Sequence, residues 1–142
     1  MKISEWMKGS VRVVGPRDTV GRARALLDQH RINQLPVTDQ GRLVGIVAER
    51  DLRVAFPTTN DIADLLGEHE GVASPDRIPI ETVMTPNVLV LRPEDTVEEA
   101  ARLMRARRLA AIPIVKDHQV VGMLSRGDVI DAFLSQAETR QL

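Results

Sequence analysis

A chain of 142 residues with 43% hydrophobic and 27% charged side chains has the balance of a soluble folded domain with a substantial core. A formal net charge of -1 and only three aromatic residues (Trp6, Phe56 and Phe133) argue against nucleic acid, which calls for a basic surface or a base-stacking platform. The absence of cysteine excludes disulfides and thiolate chemistry, and no run resembles a signal peptide or a membrane span, so a cytoplasmic protein is expected.

In chain order, Val11 to Val14 reads as a short strand closed by Gly15-Pro16. Thr19 or Asp18 caps a helix running to about His30, with Val20, Ala23 and Leu27 at helical spacing. Leu35 to Thr38, the turn Asp39 to Arg42 and Leu43 to Val47 read as a hairpin, in which Gly41 supplies a positive φ. Another helix starts at about Glu49. A linker with Pro57, Pro75 and Pro79 follows, containing one short helix at 61–66.

The same order then returns. Thr96-Val97-Glu98-Glu99 is a capping box, with Thr96 bonding the third amide and Glu99 reaching back. Val97, Ala100 and Met104 mark the buried face of its helix. Ile112 to Val115, the turn Lys116 to Gln119 and Val120 to Leu124 form a second hairpin, with His118 a poorer turn residue than Gly41. A last helix from about Arg126 carries an apolar face of Val129, Ile130, Phe133 and Leu134.

The return is a duplication. Shifted by 77 positions, Met7 falls on Met84, Pro16 on Pro93, Asp18-Thr19-Val20 on Asp95-Thr96-Val97, Pro36 on Pro113, Val44-Gly45 on Val121-Gly122 and Asp51 on Asp128. About 14 of roughly 48 positions match without a gap, against about 3 by chance. The copies span 1–56 and 81–142, joined by the linker 57–80. The fold class is therefore mixed α and β (α+β), built from two β-α-β-β-α repeats that need each other to close a core.

Met84-Thr85-Pro86, the Pro-x-Asp-Thr-Val start of the capped helix, the proline-bearing strand and the Val-Gly strand leading to Ser125-x-x-Asp128 resemble the cystathionine-β-synthase (CBS) domain. Two copies resemble the tandem pair called a Bateman module. Arg53-Val54-Ala55 and the proline-containing linker are also similar to bacterial acetoin-utilisation-type CBS proteins. The resemblance implies sheets packed together about a pseudo-twofold axis, a homodimer, and adenine-containing ligands held in clefts between the repeats. AMP, ADP, ATP or S-adenosylmethionine would then act as a regulatory ligand, with no cofactor required and an unknown effector protein downstream.

Carried onto this sequence, the first site would use Ser125, Arg126 and Asp128 with Ser10, Val11, Arg12, Ile32, Asn33, Gln34 and Pro36, and with Lys8 near the phosphate. The second would use Arg50 and Asp51 with Thr85, Asn87, Val88, Leu89, Leu109, Ala110, Ala111 and Pro113, and with Arg107 and Arg108 close by. The carboxylate suits a ribose diol, and a hydroxyl or helix-start amides suit phosphate. Ala48 stands where the first site has Ser125, so unequal sites are expected.

Plainer roles compete with these. Asp51 and Asp128 sit in first turns, where a carboxylate favours the helix dipole without any ligand. Ser125 can be an N-cap, the prolines structural, and Arg102, Arg105, Arg107 and Arg108 a solvated face. His30, His69 and His118 have no metal-ligand spacing. No phosphate loop, nucleophile elbow or catalytic triad points to an enzyme. The alternative to a nucleotide sensor is a ligand-free dimerisation or protein-interaction module.

Overall fold

The computed structural model describes residues 1–55 and 75–140 and divides into two units. The central unit is Arg12–Val88; the split unit joins Met1–Val11 to Leu89–Leu142. The linker helix expected at 61–66, with Phe56, Pro57 and His69, lies outside the described residues.

The central unit contains α1 (Val20–His30), β1 (Gln34–Asp39), β2 (Arg42–Ala48) and α2 (Glu49–Ala55). The split unit repeats the order with α3 (Val97–Arg107), β3 (Ala111–Lys116), β4 (Gln119–Ser125) and α4 (Arg126–Arg140). Thr19 caps α1 by accepting from the Arg22 amide at 3.1 Å, and Thr96 caps α3 by accepting from the Glu99 amide at 3.1 Å. Asp18 has a different task, closing its turn by accepting from the Gly15 amide at 2.7 Å. Only the threonine half of the expected capping box forms among the described residues. Each hairpin turns on two residues with positive φ, Gln40-Gly41 and Asp117-His118, the geometry that matches strand twist. His118 takes φ 68° without a glycine's freedom, as its sequence position implied.

Each unit has its own apolar core. Val20, Ala23 and Leu27 of α1 bury with Leu35, Val37, Val47 and Leu52; Val97, Ala100 and Met104 of α3 bury with Ile112, Ile114 and Leu124. On α4 the expected apolar face divides: Val129 is buried with Ala132, while Ile130, Phe133 and Leu134 stay exposed. Val129 points inward because helical spacing puts it on the same face as Ala132. No helix among the described residues is long and apolar enough to cross a membrane.

The strand expected at Val11 to Val14 shrinks to one residue. Val14 bridges Val37 in parallel, donating to the Pro36 carbonyl at 3.1 Å and accepting from Thr38 at 2.8 Å. Extending that ladder by two residues would require the N–H of Pro36, which proline lacks. Leu91 and Pro113 repeat the arrangement, with Leu91 donating to Pro113 at 3.2 Å and accepting from Val115 at 2.9 Å. Proline in each copy thus ends the strand after a single bridge.

The units also depart from the boundaries 1–56 and 81–142 expected from the repeats. Ile3–Glu5 and Ile80–Thr82 form matching 3-10 turns, and Ile3 and Ile80 are both fully buried. Ile3 lies in the core built from the second copy, and Ile80 in the core built from the first. Lys8 exchanges backbone bonds of 2.9 and 3.0 Å with Met123 on β4, and Thr85 exchanges bonds of 2.8 and 3.0 Å with Ile46 on β2. The glycine of each Val-Gly pair admits the visiting segment: a Cβ on Gly122 would lie 2.6 Å from the Met7 sulfur and 3.0 Å from the Lys8 carbonyl oxygen. At Gly45 the same atom would lie 2.6 Å from the Met84 sulfur and 3.0 Å from the Thr85 oxygen.

Candidate functional site

Three pieces of each copy carry the residues expected at the sites: the segment after the leading turn, the start of the proline strand, and the start of the helix after the hairpin. The proline-limited bridges leave the first of these open. Among the described residues, no backbone group of 9–13 or 86–90 joins a backbone hydrogen bond. The amides and carbonyls of Ser10, Val11 and Arg12, and of their counterparts Asn87, Val88 and Leu89, therefore stand outside the backbone hydrogen-bond network of the described residues. Asn87 holds a left-handed φ of 55°.

The helix starts are built alike. The first amide of α2, on Glu49, donates to the Asn33 carbonyl at 2.9 Å, and that of α4, on Arg126, donates to the Ala110 carbonyl at 3.0 Å. Each helix start is thus tied to the segment before its own copy's proline. The Ala48 amide donates to Asp51 Oδ2 at 2.9 Å, and the Ser125 amide donates to Asp128 Oδ2 at 2.9 Å.

The half-sites then diverge. Ser125 Oγ accepts from the Asp128 amide at 3.2 Å, so serine and aspartate cap one another; Ala48 has no hydroxyl to do this. Asp128 is only 4% exposed, whereas Asp51 is half-buried. Lys8 Nζ lies 3.3 Å from Asp128 Oδ1, while the equivalent of Lys8 in the other copy is the uncharged Thr85. Lys8 was expected near a phosphate; the structure pairs it with the carboxylate expected to take ribose. The pairing arises because Lys8 belongs to the exchanged segment on β4, which local sequence does not reveal.

Ser10, Val11, Ser125, Arg126 and Asp128 of the first expected site share the split unit; Arg12, Ile32, Asn33, Gln34 and Pro36 belong to the central unit. Of the second, Arg50, Asp51, Thr85, Asn87 and Val88 share the central unit; Leu89, Leu109, Ala110, Ala111 and Pro113 belong to the split unit. Arg126 Nε donates to the Leu109 carbonyl at 3.1 Å. Its side chain lines a groove of about 470 Å³ with Arg105, Arg108, Met104 and Val129, between α3 and α4. Pro36 is buried.

Gln34 carries a signal that residue type alone does not give. Its Oε1 is buried without a hydrogen-bond partner among the described residues. An unsatisfied buried carbonyl costs about 1–3 kcal/mol, and a ligand N–H would remove that cost. Gln34→Met is therefore expected to raise the melting temperature of the ligand-free protein by about 3 °C and to weaken ligand binding. Differential scanning calorimetry with and without ligand measures both; a lower ligand-free melting temperature would contradict the reading. Among the described residues no three His, Asp or Glu side chains cluster closely enough to hold a metal ion.

Comparison with known proteins agrees with this architecture. The CBS domain matches residues 3–58 and 80–135. The chain is 28% identical over 127 residues to the CBS domain-containing protein YhcV of Bacillus subtilis, covering 89% of this chain and 81% of that one. The crystal structure of CBSX2 in complex with AMP aligns with a TM-score of 0.77 at 30% identity, covering 96% of this chain and 98% of that one. A putative acetoin utilization protein (AcuB) from Vibrio cholerae shares the fold, with a TM-score of 0.78 at 22% identity over 99% of this chain and 96% of that one. With both copies matched, the chain belongs to the CBS-domain family and carries the domain twice.

Proposed function

We infer that this chain is a regulatory module that binds an adenine-containing nucleotide and passes its occupancy to an effector protein. The observation that carries the reading is Asp128, a buried carboxylate. It is fixed by the Ser125 amide on one oxygen and met on the other by Lys8, whose side chain is 75% exposed. Burying a carboxylate is costly unless it is paired, and this one is paired so that an incoming diol can replace the lysine. The open backbone of residues 9–13 offers further donors and acceptors for a base or phosphate. AMP bound to CBSX2, a relative at 30% identity, supports the ligand class. AMP, ADP, ATP and S-adenosylmethionine all fit it, as a regulatory ligand of a non-catalytic protein.

Mass spectrometry of small molecules released from the denatured protein, followed by calorimetric titration with AMP and ATP, tests the reading. Release or saturable binding of an adenosyl compound is expected. Protein that neither releases nor binds one would leave the ligand-free interaction module as the better account.

Association is a second element of the proposal. Ile130, Phe133 and Leu134 stand 56%, 39% and 55% exposed along α4, an apolar stripe suited to a second copy. Phe133→Asp is expected to halve the mass measured by light scattering, with little change in the circular dichroism spectrum. An unchanged mass would remove this stripe from the interface.

A further inference from the structure

We propose that Lys8 and Thr85 give the two half-sites opposite preferences for ligand charge: the Asp128 half-site takes adenosyl ligands with a 5′-phosphate, and the Asp51 half-site takes those without a negative group there. This rests on the nucleotide reading above and assigns its ligand classes.

The two positions are equivalent in backbone and different in side chain. Lys8 is pinned by both its N–H and C=O to Met123, and Thr85 by both to Ile46. Each follows a methionine packed over the glycine of a Val-Gly pair. Each carboxylate, Asp128 or Asp51, accepts from the amide three residues earlier at 2.9 Å. Only the Asp128 half-site adds a cation, with Nζ 3.3 Å from Oδ1. Among the described residues, Asp51 forms no ion pair.

The consequence is electrostatic. When ribose hydroxyls take over Asp128, the Lys8 ammonium loses its partner but keeps its charge. A 5′-phosphate restores a partner to it, whereas an uncharged 5′ group leaves it to water. At Asp51 a phosphate would add negative charge beside a carboxylate that forms no ion pair among the described residues and has threonine where the other half-site has lysine. Thr85 in place of lysine thus favours neutral or cationic 5′ substituents.

Titration of the full chain with AMP, adenosine and 5′-methylthioadenosine, using wild type, Lys8→Thr, Lys8→Arg and Thr85→Lys, tests the assignment. Lys8→Thr is expected to weaken AMP about tenfold, the scale of one exposed charge contact, and to leave adenosine unchanged. Lys8→Arg should retain AMP affinity, and Thr85→Lys should strengthen AMP relative to methylthioadenosine. Equal loss of AMP and adenosine in Lys8→Thr, or no change in either, would overturn the assignment while leaving nucleotide binding intact. A wild-type protein that binds none of the three would defeat the nucleotide reading and this inference together. Lys8→Thr leaves the buried Asp128 without its cation, so its melting temperature is expected to fall by a few degrees, whereas Lys8→Arg should melt as wild type.

Discussion

Asp128→Ala is expected to lower nucleotide affinity by at least a hundredfold in calorimetry. Two ribose hydroxyls donating to a carboxylate form charge-assisted bonds of about 1.5–3 kcal/mol each, and every 1.4 kcal/mol is tenfold. The same substitution removes the acceptor of the Ser125 amide and the partner of Lys8, so it also costs about 1–3 kcal/mol of stability. Asp128→Asn separates the two effects. Its amide oxygen still accepts from Ser125, which keeps the helix start, but it no longer offers an anionic acceptor for the diol. Asparagine is therefore expected to fold nearly as wild type and still bind poorly. AMP binding at wild-type strength in either variant would remove Asp128 from ribose recognition. Asp51→Ala is expected to have the smaller effect on AMP, because Asp51 is less buried and has neither a serine nor a lysine beside it.

The second large effect is structural. Gly122→Ala is expected to cost about 2–3 kcal/mol, lowering the melting temperature by roughly 6–12 °C. The new methyl would meet the Met7 sulfur at 2.6 Å and the Lys8 carbonyl oxygen at 3.0 Å. A methionine can swing away, but the carbonyl is held by the Met123 amide at 3.0 Å. Relief thus requires the exchanged segment to lift from β4. Limited proteolysis should then cut near Gly9 faster than in wild type. Adding Met7→Ala should recover part of the loss, since it removes the side-chain conflict and leaves the backbone one. A Gly122→Ala protein melting within a degree of wild type would show that the segment is not seated as described.

Much of this architecture was legible because it is written locally. Thr19 and Thr96 announce their caps, Val20-Ala23-Leu27 and Val97-Ala100-Met104 announce buried faces, and Gly41 predicts the positive φ that His118 adopts less readily in the other hairpin. What local pattern does not contain is long-range pairing. Nothing in Met1 to Lys8 says that Ile3 belongs in the core of the second copy, because the partner strand lies more than a hundred residues away. The Val11 to Val14 strand was overread because its own apolar run is adequate; the limit comes from the missing N–H of Pro36, on another strand. For the same reason the direct Lys8–Asp128 ion pair is not in the local pattern, although the family resemblance places both residues at the first site and the alignment of Lys8 with Thr85 is visible. The candidate site was legible as a set of residue types on matching segments. The orphaned Gln34 oxygen and the difference in burial between Asp51 and Asp128 are properties of packing.

The exchange of leading segments also sets an order of assembly during synthesis. The central unit is continuous in sequence, so all its parts are available once Val88 has left the ribosome. The split unit draws on segments made before and after the central unit. Ile3, Trp6 and Met7 emerge early, but β4, which Lys8 must join, is not finished until Ser125. Until then those apolar side chains have no native seat, and a growing chain stalled between the two stages would carry them exposed. A fragment cut to follow the folded unit would therefore keep Arg12 to Val88. One cut to follow the second repeat would lack the isoleucine and the edge residue that complete it.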